Sequence, residues 1–187
     1  MNRAASITYQ LIEEGISARA HFQVWWALRN LALPKYLPTM NDITHVDFFH
    51  TSASGHYKLF FLALSKIFDR DSRVAGISEL KKALRSEGQE SVALRIDKEL
   101  MPIEPLVKRV MSIRNITIVH NDHSMPPTTV DKINGITPNQ LRLVIDTVCS
   151  SINCAARDQD IANTIFESNR LERATLSMLE KLDRGNT

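Results

Sequence analysis

Apolar side chains recur along this chain at steps of three and four. Ile7, Leu11, Ala18, Phe22 and Trp25 fall at heptad-like intervals and predict a long first helix over residues 6–31. Pro34 and Pro38 are expected to end it, since proline lacks a backbone N–H and its ring clashes with the preceding turn. A second stripe runs Phe49, Ala53, His56, Phe60, Ala63 and Ile67, with Tyr57, Phe61, Leu64 and Phe68 beside it. Such a broad apolar face predicts a central helix. Gly55 weakens that helix by about 1 kcal/mol relative to alanine. The pattern breaks at Asp69-Arg70-Asp71-Ser72-Arg73, and Ser78 is expected to cap a short helix through Leu84.

Another helical stretch starts near Ser91. Pro102 and Pro105 should kink or restart it, Pro105 being tolerable in a first turn. From Leu106 the stripe continues through Val110 and Ile113 towards His120, and Met125-Pro126-Pro127 forbids continuation. The clearest start signal is Thr137-Pro138-Asn139-Gln140: threonine at the cap, proline first in the helix and glutamine third form a capping box. Leu141, Ile145, Val148 and Ile152 then give that helix a buried face. Leu171 to Leu182 form a weaker amphipathic tail. With no convincing β-alternation and no internal repeat, the pattern predicts an all-α bundle of four or more helices. One domain is expected over residues 1–187, with its core at about 5–155 and a helical tail at about 157–187.

Composition narrows the picture. The chain has 187 residues, 43% hydrophobic and 24% charged, as for soluble globular proteins. Its 23 basic and 21 acidic residues leave a net charge of +2, which excludes a strongly basic coating protein. The excess is local: Lys58 to Arg114 hold 12 basic and 8 acidic residues by count along the chain. That stretch suits either a modest polyanion footprint or solvated helix faces. Cys149 and Cys154, five apart on one helix, are turned about 500° and about 7.5 Å from each other, so they are not expected to bridge and read as small core residues in a reducing compartment. The first residues lack the apolar core of a signal peptide, and the apolar run Leu59 to Leu64 is too short to span a bilayer. A cytoplasmic protein with no membrane partner is expected.

The chemistry concentrates between Ser112 and His123. At about 100° per residue, Thr117 lies about 60° behind Arg114, His120 about 120° and Asn121 about 20°, so these four share a polar sector of an otherwise apolar segment. Arginine offers a planar fork for phosphate oxygens, and histidine exchanges a proton near neutral pH. Together they suit phosphodiester cleavage, with His120 as general base or acid and Arg114 stabilising charge on the phosphate. A structural reading is also open, in which Arg114 pairs with an acidic neighbour and His120 bonds the last carbonyls of its helix. His56 lies on the apolar stripe of the second long helix, either approaching this site or serving as a core histidine. Asp69 either orients Arg114 or closes a helix end. His120, Asp122 and His123, or His45 with His50, fall short of a complete metal-ligand set. Trp25-Trp26 fit core packing or base stacking.

Arg114-Asn115-x4-His120 resembles the signature of HEPN (higher eukaryotes and prokaryotes nucleotide-binding) domains. The tryptophan-bearing first helix, Ile67-Phe68-Asp69-Arg70, Ile77-Ser78 and Asn121-Asp122 are similar to the branch associated with abortive phage infection. The resemblance implies a bundle that dimerises so that two Arg/His sets face one cleft. It implies an RNA endonuclease of toxin–antitoxin or phage-defence type, needing no metal or cofactor and leaving 2′,3′-cyclic phosphate and 5′-hydroxyl ends. Arg114 and His120 would be the catalytic pair and Asn115 the polar residue that helps position them, with Thr117, Asn121, Asp122, Asp69 and His56 in support. An antitoxin protein is a candidate partner. Some branches carry a modified tyrosine where this chain has Asp122, and other members only bind nucleotides or proteins, so a non-catalytic binding domain is the alternative.

Overall fold

In α1 (Arg3–Trp26), Asn2 starts the helix by accepting the Ala5 N–H on its side-chain oxygen at 2.8 Å. The computed structural model describes residues 2–115, 135–161 and 168–185. Past Trp26 the helix continues as a π-helical stretch, Ala27–Leu31, closed by the Ala32 N–H bonding back to the Ala27 carbonyl at 2.8 Å. The first helix ends at Leu31, ahead of Pro34 and Pro38 as expected, but the chain re-enters a helix at once. Pro34 occupies the first turn of α2 (Leu33–Asn41), where its missing N–H would have no helical partner anyway, and Pro38 lies inside that helix.

α3 (Val46–Ile67) is the central helix the stripe predicts. Phe49, Ala53, Phe60, Ala63 and Ile67 are buried, as are Phe61 and Leu64 from the neighbouring stripe. Its most extensive partner is α1. There Phe22 meets Phe60 with ring centroids 5.3 Å apart and stacks on Trp26 at 5.6 Å. Trp25 packs on Tyr57 at 5.4 Å, so both tryptophans serve packing.

The α3–α4 connection is tightly folded. The Asp69 carboxylate accepts the Asp71 N–H, and Asp71 in turn accepts that of Arg73, both at 2.9 Å. α4 (Ile77–Ser86) is capped by Gly76 rather than by Ser78, which lies in its first turn. The reason is steric: a Cβ on Gly76 would sit 2.5 Å from the Asp69 carbonyl oxygen. α4 runs two residues past the expected Leu84 and ends in a Schellman closure. There Gly88, at φ 77°, lets the Gly88 and Gln89 N–H groups bond the carbonyls of Arg85 and Leu84.

α5 (Glu90–Leu100) passes through a 3₁₀ turn at Met101–Ile103 into α6 (Glu104–Ile113), with Pro102 and Pro105 at these restarts as expected. α7 (Pro138–Arg157) begins in the capping box, the Thr137 hydroxyl accepting the Gln140 N–H and the Gln140 side chain accepting the Thr137 N–H. Its predicted face of Leu141, Ile145, Val148 and Ile152 is buried. Cys149 is buried, and burial pushes its thiol up to about 12. Cys154, expected in the core, is half-buried because it faces another side of α7; both thiols are free.

α8 (Arg170–Gly185) is the predicted tail helix. Leu179 completes a second apolar cluster with Leu28, Ala32, Tyr36, Met40, Phe49 and Ala53. Buried Gln23 ties its start to α1, accepting the Leu171 N–H and donating to the Ser168 carbonyl. Arg142 of α7 lies 4.4 Å over the Trp26 ring and pairs with the buried Glu172 at 2.6 Å. The described residues contain no strand, and no helix among them is long and apolar enough to cross a membrane.

Two glycines should answer alanine oppositely. Gly76→Ala forces the Asp69 carbonyl to move and is expected to destabilise by about 1–3 kcal/mol. Gly55→Ala meets nothing within 4 Å and is expected to stabilise by about 0.5–1 kcal/mol through helix propensity. Denaturant melts of the two variants against the parent check both signs.

Candidate functional site

Arg114 and Asn115 emerge where α6 ends. Pro102 and Pro105 sit in the first turns of the 3₁₀ turn and of α6, and buried Val110 and Ile113 hold α6 on the core. After Ile113 the chain turns in π-helical form at Arg114-Asn115. An Arg114 Nη donates to the Asn115 side-chain oxygen at 2.8 Å. Arg114 Nε is buried and has no hydrogen-bond partner among the described residues. Thr117, His120, Asn121 and Asp122 lie outside the described residues, as do His123 and the predicted continuation of the helix towards His120.

Arg114 and Asn115 line a cleft of about 1150 Å³ bounded by the end of α3, the start of α4, α5 and α6. Phe68, Ile77, Leu100, Val107 and Met111 provide apolar wall, while Asp69, Arg70, Ser78, Lys81, Asp97, Glu104 and Lys108 supply polarity. The cleft thus joins Arg114 to Asp69 and Arg70, more than forty positions earlier in the chain. Asp69 shares this cleft, but its carboxylate serves the Asp71 turn; no hydrogen bond or ion pair joins it to Arg114. Of the two readings open for Asp69, the observed contact is the helix-end one.

Most of the charge in the cleft is already paired. Lys81 and Arg85 both bond Asp97, and despite its partial burial they hold that carboxyl below its usual range. Lys108 pairs with Glu104 at 2.9 Å, and the hydrogen bond and charge of Lys108 hold the Glu104 carboxyl low, with smaller help from Arg70 and Lys81. Sequence reasoning grouped Lys81 and Lys108 as a basic excess. The (i, i+4) spacing of Glu104 and Lys108 was the available signal that the second is neutralised.

His56 does not approach this cleft. It sits eleven residues before Ile67, about 16 Å along α3, beside a smaller pocket walled by Val24, Phe48, Phe49 and Met178. There its Nδ1 is 2.9 Å from Nδ1 of His21 on α1, with ring centroids 5.0 Å apart. His21 carries no motif and escapes sequence reasoning; only the packing of α1 on α3 brings the two rings together. Two nitrogens at that distance require one ring to donate and the other to accept, so at most one of the facing nitrogens carries a proton comfortably. Burial holds both imidazoles below the ordinary histidine range, and for His21 the nearby His56 adds to it.

Residues 1–158 match the family model HEPN_AbiU2, described as AbiU2. No curated protein and no solved structure matches the chain.

The histidine pair has a definite pH signature. Both groups bind protons more weakly folded than unfolded, so the unfolded chain takes up more protons as pH falls below the unfolded histidine value of about 6.5. The pair's contribution is therefore full above that value and is lost as pH drops through it towards the lower folded values. Thermal melts at neutral and mildly acid pH should show the parent losing more stability than His21→Gln/His56→Gln. Parallel losses in the two proteins would contradict this assignment.

Proposed function

We propose, from the premise that the chain belongs to the AbiU2 family of HEPN proteins associated with abortive infection, that it is an RNA endonuclease acting through Arg114 and His120. The observation that carries this reading is Arg114 itself. It lines an open, partly apolar cleft, meets no carboxylate among the described residues, is braced by Asn115, and keeps a buried Nε without a partner. The Arg114 fork at the cleft wall has no carboxylate to pair with among the described residues, and a phosphate oxygen is an acceptor suited to its Nη groups.

In the proposed reaction His120 takes the proton of a ribose 2′-hydroxyl. The 2′-oxygen then forms a bond to phosphorus as the bond to the 5′-oxygen breaks. That leaving oxygen accepts a proton from a protonated His120 imidazolium of the facing Arg/His sets and departs as a 5′-hydroxyl, while the other fragment keeps a 2′,3′-cyclic phosphate. Arg114 grips the non-bridging oxygens as their charge grows in the transition state. Asn115 positions the Arg114 fork; Thr117, Asn121 and Asp122 belong to the same strip of sequence and are assigned supporting roles. The acting form is a homodimer whose two Arg/His sets face one cleft, in the cytoplasm, with an antitoxin protein as candidate regulator and no metal or cofactor in the reaction.

The second reading is a domain that binds a nucleotide or a protein in this cleft without cleaving. The near-neutral charge of +2 and the pairing of Lys81 and Lys108 with carboxylates favour it, since they leave few cations for phosphate contacts.

Mixed-sequence RNA incubated with the protein in EDTA decides between them. Cleavage to cyclic-phosphate ends is expected from the parent, with a loss of about 10²-fold or more in His120→Ala and Arg114→Ala and melting temperatures within a few degrees of the parent. A folded parent that binds RNA or nucleotide without forming product supports the second reading. Sedimentation at micromolar concentration tests the assembly: a dimer is expected, and a monomer that still cleaves would remove the shared cleft from the mechanism.

A further inference from the structure

Four cations line the cleft: Arg70, Lys81, Lys108 and Arg114. Lys81 and Lys108 are committed to Asp97 and Glu104. Arg70 differs from them. It is exposed at the end of α3 and makes no ion pair or hydrogen bond among the described residues, although Asp69 and Asp71 are near it in the chain. Both of those carboxylates are occupied, Asp69 by the Asp71 N–H and Asp71 by the backbone and guanidinium of Arg73. The backbone carrying Arg70 is held by those turns and by the contact of Gly76 with the Asp69 carbonyl, so its fork starts from a defined position. Its charge is felt by Glu104 on α6, on the other wall of the cleft.

We infer that Arg70 is a second phosphate anchor, gripping the RNA backbone at a phosphate neighbouring the one held by Arg114. This rests on the proposed RNA-cleaving function of the same cleft. Two guanidiniums without carboxylate partners then flank an apolar wall that includes Phe68 and Met111, a surface on which an unpaired base can rest. The arrangement selects single-stranded RNA, whose backbone can enter a concave cleft with its bases turned aside. Arg70 is a binding residue in this assignment and takes no part in bond breaking.

The test uses the full chain, a short 2′-O-methyl single-stranded RNA as uncleavable probe, and the matching RNA as substrate. Arg70→Ala is expected to weaken probe binding about tenfold. It should also reduce the slope of log affinity against log salt by about 0.7, the share of one phosphate contact on a single strand. With the cleavable RNA, KM should rise about as much as binding weakens, with the smaller part of the loss in kcat. Arg70→Lys should recover part of the affinity and most of the salt slope, because it restores charge without the fork. Lys58→Ala, an exposed change on α3 outside the cleft, serves as the control for general electrostatics. Parent-like binding and salt slope in Arg70→Ala overturn the inference while parent cleavage leaves the nuclease reading intact. An equal loss in Lys58→Ala also overturns it. A parent that neither binds nor cleaves RNA overturns both.

Discussion

The packing of α1 against α3 is the contact on which the remaining elements depend. It is made by large rings, Phe22 on Phe60 with Trp26 stacked behind, and it is dry at its centre. Burying one such ring contributes roughly 1.5–3 kcal/mol, with aromatic geometry adding about 0.5–1.5 kcal/mol per pair. α7 and α4 both lie on α1, and α6 lies on α3. The walls of the cleft therefore inherit their positions from this one interface, although none of its rings reaches the cleft. Besides the Lys66–Glu14 ion pair at its edge, it holds His21 with His56, which works while at most one of the facing nitrogens carries a proton, so the interface that organises the fold also carries a sensitivity to acid.

The cleft illustrates why a count of basic residues is a poor guide to anion binding. Between Lys58 and Arg114 the chain carries a clear positive excess, yet Lys81, Arg85 and Lys108 spend their charge on Asp97, Glu90 and Glu104. Such pairs at partly exposed positions contribute little to stability. Their larger consequence here is to cancel charge. What remains for a ligand is decided by geometry: Arg70 lies between two aspartates whose carboxylates are occupied by the Asp71 and Arg73 N–H groups, and Arg114 turns out of α6 beside an amide instead of an acid. On the proposed function, two forks and an apolar wall are a small footprint, suited to a short single-stranded stretch.

Much of the architecture was legible in the sequence because helical periodicity is a local signal. The central stripe of α3 and the capping box of α7 are examples, since each depends only on residues within a few positions of one another. The departures came where a distant atom decides. Ser78 has the chemistry of a cap, but the Asp69 carbonyl lies so close that only glycine fits at 76, and the helix starts there. Pro34 reads as a stop, and the first helix does end before it, yet the same proline opens a new helix directly. The candidate site divides the same way. Arg114 with Asn115 was readable from a motif; the company of Arg70 depends on how α3, α4 and α6 meet, and no spacing rule connects residues so far apart.

The tail helix separates stability from the cleft. α8 lies beyond the matched residues 1–158, yet it is fastened by buried polar groups as well as by Leu179. Gln23 offers both ends of its amide to the backbone at the start of α8, and Glu172 meets an Arg142 that is itself stacked on Trp26. Groups of this kind specify a docking geometry strongly, because displacing the helix would leave an amide and a carboxylate buried without partners. The helix also covers the π-helical stretch Ala27–Leu31. Its contacts reach α1, α2, α3 and α7, and among the described residues none of its side chains lines the Arg114 cleft. On the proposed function, changes in α8 should therefore act on the folded population, and changes at positions 70 and 114–115 on the handling of RNA. The two can be separated because different faces of one aromatic-centred bundle carry them.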